Sequence, residues 1–329
     1  MTKRVKMKQK TDSFVVHYPE AIEFADTQMK ILWFPNEIKV EKDVHDILTN
    51  MTLAERHGVV TVLKLFTLYE AKAGTDYWTG RFMRTYKRPE FQRMASVFGM
   101  FELAIHAPFY NLINEALHLN TDEFYESYVQ DETLKSRMDF IDNGIRDKDD
   151  LFSVGVFSLV EGAVLYSSFA FLKHFQSKGK NKLLNVVRGI NFSVRDENGH
   201  SVAGAWVFRK HLEEEQRSPE EVKELHNRII EAANTIYEHE SRIVDMIFEQ
   251  GDIEGIDSAK LKMFVKSRIN ICLSNLGISP IFEIVDNQIE TWFYDSINKF
   301  TFNDFFSGIG REYTRDWEES NFTWKKKAE

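Results

Sequence analysis

The chain has 329 residues, enough for a large buried core, and its net charge of −9 argues against a nucleic-acid partner. Its basic start, KRVKMKQK, lacks the apolar segment of a secretory signal, and no apolar run approaches the ~18 residues that would span a membrane. Cys272 is the only cysteine, which excludes an internal disulfide and any chemistry needing a thiol pair within the chain; it is expected to be a buried small hydrophobe.

With only 6 prolines and 16 glycines, long stretches keep a 3.6-residue apolar period, so the fold class expected is all-α. Residues 1–45 read as irregular, with HYPEAIEF and LWFPNEI as extended or short helical pieces around Pro19 and Pro35. Thr52 to Glu55 form a capping box that opens a long helix running to about Tyr86. Pro89 breaks the pattern, and a second long helix continues to about His118; shorter helical segments fill 122–145. The stretch DKDDLFSVG starts a third long helix that ends near Gly179, and a fourth runs from about Lys182 to Glu215. Ser218-Pro219-Glu220-Glu221 is a cap followed by proline at the first helical position, opening a helix to about Glu249. One more helix is expected over 258–275, and from about residue 300 the chain reads as a tail. There is no internal repeat, and the reading is of a single domain whose four long helices form two antiparallel hairpins.

The fourth long helix carries RDENGHSVAGAWVF, in which Glu197 falls on the apolar stripe marked by Val187, Ile190, Val194, Ser201, Gly204, Ala205 and Phe208. A lone buried carboxylate there would cost several kcal/mol, so it must be neutralised, paired or bound to metal. In an antiparallel hairpin, residues at equal distance from the turn lie at one level. Glu161, in FSLVEGAVLYSSF, and Glu197 have their midpoint at Gly179, in the turn QSKGKNK. Glu70, in LFTLYEAKAG, pairs in the same way with Glu102 and His106 across the break before Pro89. Each hairpin thus supplies two carboxylates at one level and a histidine one turn on, at i,i+4 for Glu102–His106 and i,i+3 for Glu197–His200. Four carboxylates and two imidazoles are the donor set of a dinuclear site in a ferritin-like bundle, and four negative charges balance two divalent cations. Oxygen and nitrogen donors favour iron or manganese. A Glu three before a His also arises by chance: Glu115 and His118 form such a pair, but His118 lies roughly 18 Å along the helix from His106 and is expected on the surface.

At these residues the sequence resembles the small, radical-generating subunit of class I ribonucleotide reductase, over roughly residues 15 to 315. RDENGH is similar to that family's R-D-E-x-x-H, LVEGAVLYSSF to the helix with its lone glutamate, HAPFY to the segment with its radical tyrosine, and LWFPNEI to the turn with its relay tryptophan. The resemblance implies that Glu70, Glu102, His106, Glu161, Glu197 and His200 bind two metal ions, Fe/Fe by expectation with Mn/Fe or Mn/Mn open. It implies that Tyr110 carries the radical in an apolar pocket with Phe169 and Leu165. Trp33, Asp196 and, in the tail, Tyr313 would then pass the oxidising equivalent on. The missing cysteines place ribonucleotide reduction on a large partner subunit, and a cytoplasmic homodimer is expected, with neither nucleic acid nor membrane as partner. Three departures stand out. Glu102 is four before His106 where three is usual, so either the i,i+4 pair binds directly or a π-bulge beside Pro108 absorbs the extra residue. Glu70 replaces a common Asp, and the end NFTWKKKAE is basic where several members are acidic. Two rival readings remain, an oxidase or monooxygenase acting on a bound small molecule and a metal-storage bundle.

Overall fold

A computed structural model describes residues 5–298; Tyr313 and the rest of the expected tail lie outside them. Among the described residues the chain is helical throughout, with one isolated bridge between Ile253 and Ile256 and no strand.

The chain between Pro19 and Lys30, expected to be irregular, is a 12-residue helix, α1. Pro19 at its first turn and the buried Ala21, Ala25 and Gln28 on one face account for it. α2 spans Leu53–Lys72 and starts as expected: the Thr52 hydroxyl accepts from the Glu55 amide at 3.1 Å, while Glu55 accepts from the Thr52 amide at 2.8 Å. It continues as a π-helix over Ala73–Phe82 and one last turn, Met83–Thr85. After Pro89 comes α3 (Pro89–Phe101), a π-helical stretch over Glu102–His106, and α4 (Ala107–Ala116). α5 (Asp122–Gln130) and α6 (Glu132–Arg146) lead to the second hairpin.

The third long helix was expected to be continuous to Gly179, but it is broken. α7 (Asp150–Ala163) stops at Val164, Leu165 takes a left-handed conformation with φ 72°, and α8 (Tyr166–Lys173) resumes before a 3-10 turn at His174–Gly179. Neither glycine nor proline marks the break, and its supports come from distant helices. Ser167 donates to the buried Glu240 at 2.7 Å, and Glu240 in turn pairs with Arg137 at 3.0 Å. Contrary to the expectation from sequence, the stretch Asp150–Ser177 is long and apolar enough to cross a membrane, but its most apolar 18 residues are buried inside the protein.

α9 (Leu184–Glu215) packs along α7, and α2 with its π-helical continuation packs along α3 and α4, giving the two hairpins. α10 (Pro219–Ile247), α11 (Ser258–Leu276) and α12 (Gln288–Asn298) close the bundle on its α7–α8 side, and α1 covers α3. The Ser218–Glu221 capping box opens α10 as the sequence predicts. Cys272 is buried, with its sulfur 3.9 Å from the Ser201 hydroxyl.

Candidate metal centre

All six side chains singled out on the two hairpins meet between them, each sealed from solvent. Two groups of four have donor atoms within 4.8 Å of one another: Glu70, Glu102, His106 and Glu197 in one, Glu102, Glu161, Glu197 and His200 in the other. Glu102 and Glu197 belong to both. One Glu102 oxygen lies 2.8 Å from His106 Nδ1 and the other 2.6 Å from His200 Nδ1; the Glu197 oxygens lie 2.9 and 3.6 Å from the same atoms. Those two carboxylates therefore span the pair of sites, while Glu70 with His106 and Glu161 with His200 terminate the two ends.

The π-helical wind over Glu102–His106 brings this i,i+4 pair onto one face, so the direct pair and the π-bulge occur together. Pro108, two residues on, takes part in the first turn of α4, where a missing amide costs little. Glu197 and His200 need no such adjustment in the regular α9. Glu115 and His118, as expected, are exposed.

Both oxygens of Glu70 and of Glu197, one each of Glu102 and Glu161, and both His200 nitrogens are buried without a hydrogen bond of ordinary geometry. Burial, then the charge of Glu197, push the Glu70 carboxyl well above the usual range, and do the same to Glu161. Burial and Glu197 act upward on Glu102 too, but the His106 and His200 charges outweigh them and hold it low. Burial likewise opposes charge on Glu197, and the two imidazoles again win. Burial works against charge on both histidines, yet the Glu102 carboxylate lifts His106 well above its ordinary value and His200 to about 9. Burial thus favours protons on Glu70 and Glu161, and the Glu102 and Glu197 carboxylates favour protons on the two imidazoles. Two divalent cations would displace those protons and leave the charge balanced. The unpartnered donors, their oxygen and nitrogen chemistry and this balance fit a pair of hard-to-borderline metal ions.

Next to the cluster, His106 Nε2 donates to Asp196 Oδ2 at 3.3 Å, and Trp33 Nε1 donates to the same oxygen at 2.8 Å. Trp33 lies just before the turn at Pro35–Glu37 and is fully buried against Phe109 and Phe192. Asp196 thereby faces inward, held ionised against burial by Arg195, which binds its other oxygen at 3.0 Å. Tyr110 is buried, and its hydroxyl faces that of Ser193 without a hydrogen bond of ordinary geometry; its ring stacks on Phe66 at 4.3 Å, and Phe66 stacks on Phe169 at 5.4 Å. Leu165 is buried as well, at the break between α7 and α8. Burial, then the charge of Glu70, push the Tyr110 phenol far up, so it is a neutral phenol at any physiological pH.

The sequence pattern of one family, "Ribonucleotide reductase, small chain", matches residues 10–288. The chain belongs to that family. Among its relatives is the ribonucleoside-diphosphate reductase subunit beta of Bacillus subtilis, 29% identical over 89% of this chain and 88% of its own length. The corresponding subunit of Treponema pallidum is 24% identical, covering 91% and 86%. The fold is similar to that of Streptococcus sanguinis dimanganese(II)-NrdF, with a TM-score of 0.76 at 19% identity, over 88% of this chain and 99% of that one.

As a ribonucleotide reductase small subunit, the chain is part of an oxidoreductase completed by a large subunit, and its carboxylate–histidine cluster is the candidate site for two metal ions. The rival readings of a stand-alone oxidase and a storage bundle are not favoured.

Three neighbours of this small-subunit site escaped the sequence reading. Trp78, in the π-helix after α2, donates its indole N–H to Glu161 Oε1 at 2.8 Å, leaving only Oε2 of that carboxylate unpartnered. Phe98 lies 4.3 Å from the His200 ring. Tyr69, one residue before Glu70, is another buried phenol whose hydroxyl makes no hydrogen bond of ordinary geometry. Nothing in an apolar helix distinguishes such aromatics from ordinary core residues; only their placement against a carboxylate does.

Proposed function

We propose that Glu70, Glu102, His106, Glu161, Glu197 and His200 hold two metal ions, and that this subunit makes and exports an oxidising equivalent for the reduction of ribonucleoside diphosphates. When bound and oxidised, the metal pair supplies a one-electron oxidant beside Tyr110. Tyr110 would give one electron to that oxidant and its phenolic proton to the ligand shell, where Glu70 is the carboxylate acting most strongly on the hydroxyl, with the Ser193 hydroxyl beside it. The stacked Phe66 and the buried surroundings exclude water, which would otherwise quench a phenoxyl radical.

The observation that carries this reading is the hydrogen-bonded line from His106 through Asp196 to Trp33. With Nδ1 given to a metal ion, His106 would keep its proton on Nε2 and share it with Asp196. Asp196 holds the Trp33 N–H, so electron movement along the line leaves both protons hydrogen-bonded. Tyr313, outside the described residues, would continue the relay toward the large subunit, which must hold the thiols this chain lacks.

The ions are proposed to be Fe/Fe, with Mn/Fe and Mn/Mn as the alternatives that metal analysis after expression in controlled iron and manganese separates. A cytoplasmic homodimer without membrane or nucleic-acid partners completes the proposal. Electron paramagnetic resonance of the metallated protein tests it. An organic radical signal is expected in the native chain and its loss in Tyr110→Phe. A signal unchanged by that substitution would remove Tyr110 from the scheme, and no signal in either protein would transfer the oxidant to the metal pair itself.

A further inference from the structure

Arg268, on α11, is a cation sealed in the core at 2% exposure, and its hydrogen bonds go to a carbonyl, an amide oxygen and a hydroxyl rather than to a carboxylate of the metal cluster. Its Nε and Nη2 donate to the Gly162 carbonyl at 3.1 and 3.0 Å, and Nη2 also to the Asn198 side-chain oxygen at 3.3 Å. Its Nη1 donates to the Tyr294 hydroxyl on α12 at 2.7 Å, and the guanidinium lies over the Tyr166 ring at 4.1 Å. Gly162 and Asn198 are the residues that directly follow Glu161 and Glu197.

The break at Val164–Leu165 explains why a cation sits there. In an unbroken helix the Gly162 carbonyl would accept the amide of residue 166; where the helix stops, that carbonyl is left buried and in need of a donor. A planar fork with five N–H donors can serve the carbonyl, the Asn198 amide and the Tyr294 hydroxyl at once, which an ammonium cannot do in the same geometry.

We infer that Arg268 is a positioning residue for the metal centre. Its fork sets the spacing between the helices of Glu161 and Glu197, and it transmits a change in that spacing to Tyr294 and α12. This rests on the metal-binding role proposed for Glu161 and Glu197. The link is reciprocal: if metal loading alters α12, anything that engages α12 alters metal affinity by the same factor. α12 has a second tie, from Lys173 Nζ to the Phe293 carbonyl at 3.0 Å, so removing the Tyr294 hydroxyl leaves it docked.

The test uses the full-length chain, Mn(II) alone as the probe, binding followed by the resonance of free Mn(II), and amide hydrogen exchange across α12 with and without metal. The native chain should bind two Mn(II) and exchange more slowly in α12 when loaded. Arg268→Lys keeps the charge and loses the fork; Mn(II) affinity should fall about 10–100-fold for at least one ion, and α12 should no longer respond to metal. Tyr294→Phe should keep native affinity while losing the α12 response. Native affinity in Arg268→Lys, or α12 exchange that ignores Mn(II) in the native chain, overturns the inference. If Arg268→Lys does not fold, a persistent metal response in Tyr294→Phe overturns it alone. A native chain that binds no Mn(II) overturns the metal reading itself, and this inference with it.

Discussion

The two ends of the metal cluster use the same donor types and are built differently. At the Glu70–His106 end the helix is π-wound, both Glu70 oxygens lack partners, and the histidine is tied through Asp196 to Trp33. At the Glu161–His200 end α9 is regular, Glu161 is held by the Trp78 indole, and the helix carrying it breaks four residues later. Polar hydrogen bonds lead away from the first end; around the second lie aromatic rings, and a guanidinium that bonds the residues following Glu161 and Glu197. On the function proposed above, the first end would move charge outward and the second would hold geometry, a contrast of which the sequence shows only the extra residue between Glu102 and His106.

The bluntest way to break this comparison is Glu197→Ala. Because Glu197 contacts both imidazoles, its loss should abolish binding of both ions together, as metal analysis would report; retention of one ion would mean that the ends load independently. Acid should act on both ends as well. The His106 and His200 rings are held protonated by their carboxylate neighbours up to well above neutrality, to about 9 for His200, and metal must displace those protons. Affinity should therefore rise with pH below that value, by about tenfold per unit for each imidazole proton released. Titrations at pH 6, 7 and 8 that superimpose would contradict the assignment.

Asp196→Asn separates the ends. It keeps the shape beside Trp33 and His106 but removes the acceptor charge, so turnover with the large subunit should drop about 100-fold while both ions still bind. Comparable loss of metal would make Asp196 a holding group rather than a relay. The smallest effect is expected of Trp78→Phe, which frees Glu161 Oε1: about tenfold weaker binding of one ion, with any Tyr110-dependent radical signal retained in fully loaded protein. A vanished radical signal in the loaded variant would give Trp78 a redox role and erase the contrast drawn between the ends.

Much of this arrangement was legible in the chain itself. An α-helix rises by a constant ~1.5 Å per residue, so Glu161 could be matched with Glu197 by counting from the turn, and the two do meet although the helix between Glu161 and the turn is broken at Leu165. The Thr52 and Ser218 boxes mark real helix starts for the same reason: a cap is local chemistry between residues three apart. The extra residue between Glu102 and His106 likewise pointed to the π-wind that is observed. Helix α1 was underestimated because its buried face consists of two alanines and a glutamine, which give little apolar signal.

What only the tertiary structure decided concerns groups whose partners lie on other helices. Which two carboxylates span both sites, the inward turn of Asp196, and the donation from Trp78 to Glu161 all depend on contacts between residues 83 to 163 positions apart or on the angle between hairpins. The break at Leu165 is the clearest case: no residue there forbids a helix, and the freed backbone is tolerated because Arg268 reaches it from more than a hundred residues away. Local sequence sets where a helix can start and which face it buries. A buried polar group keeps whatever partner the fold brings within hydrogen-bonding distance, and that is settled only when the bundle closes.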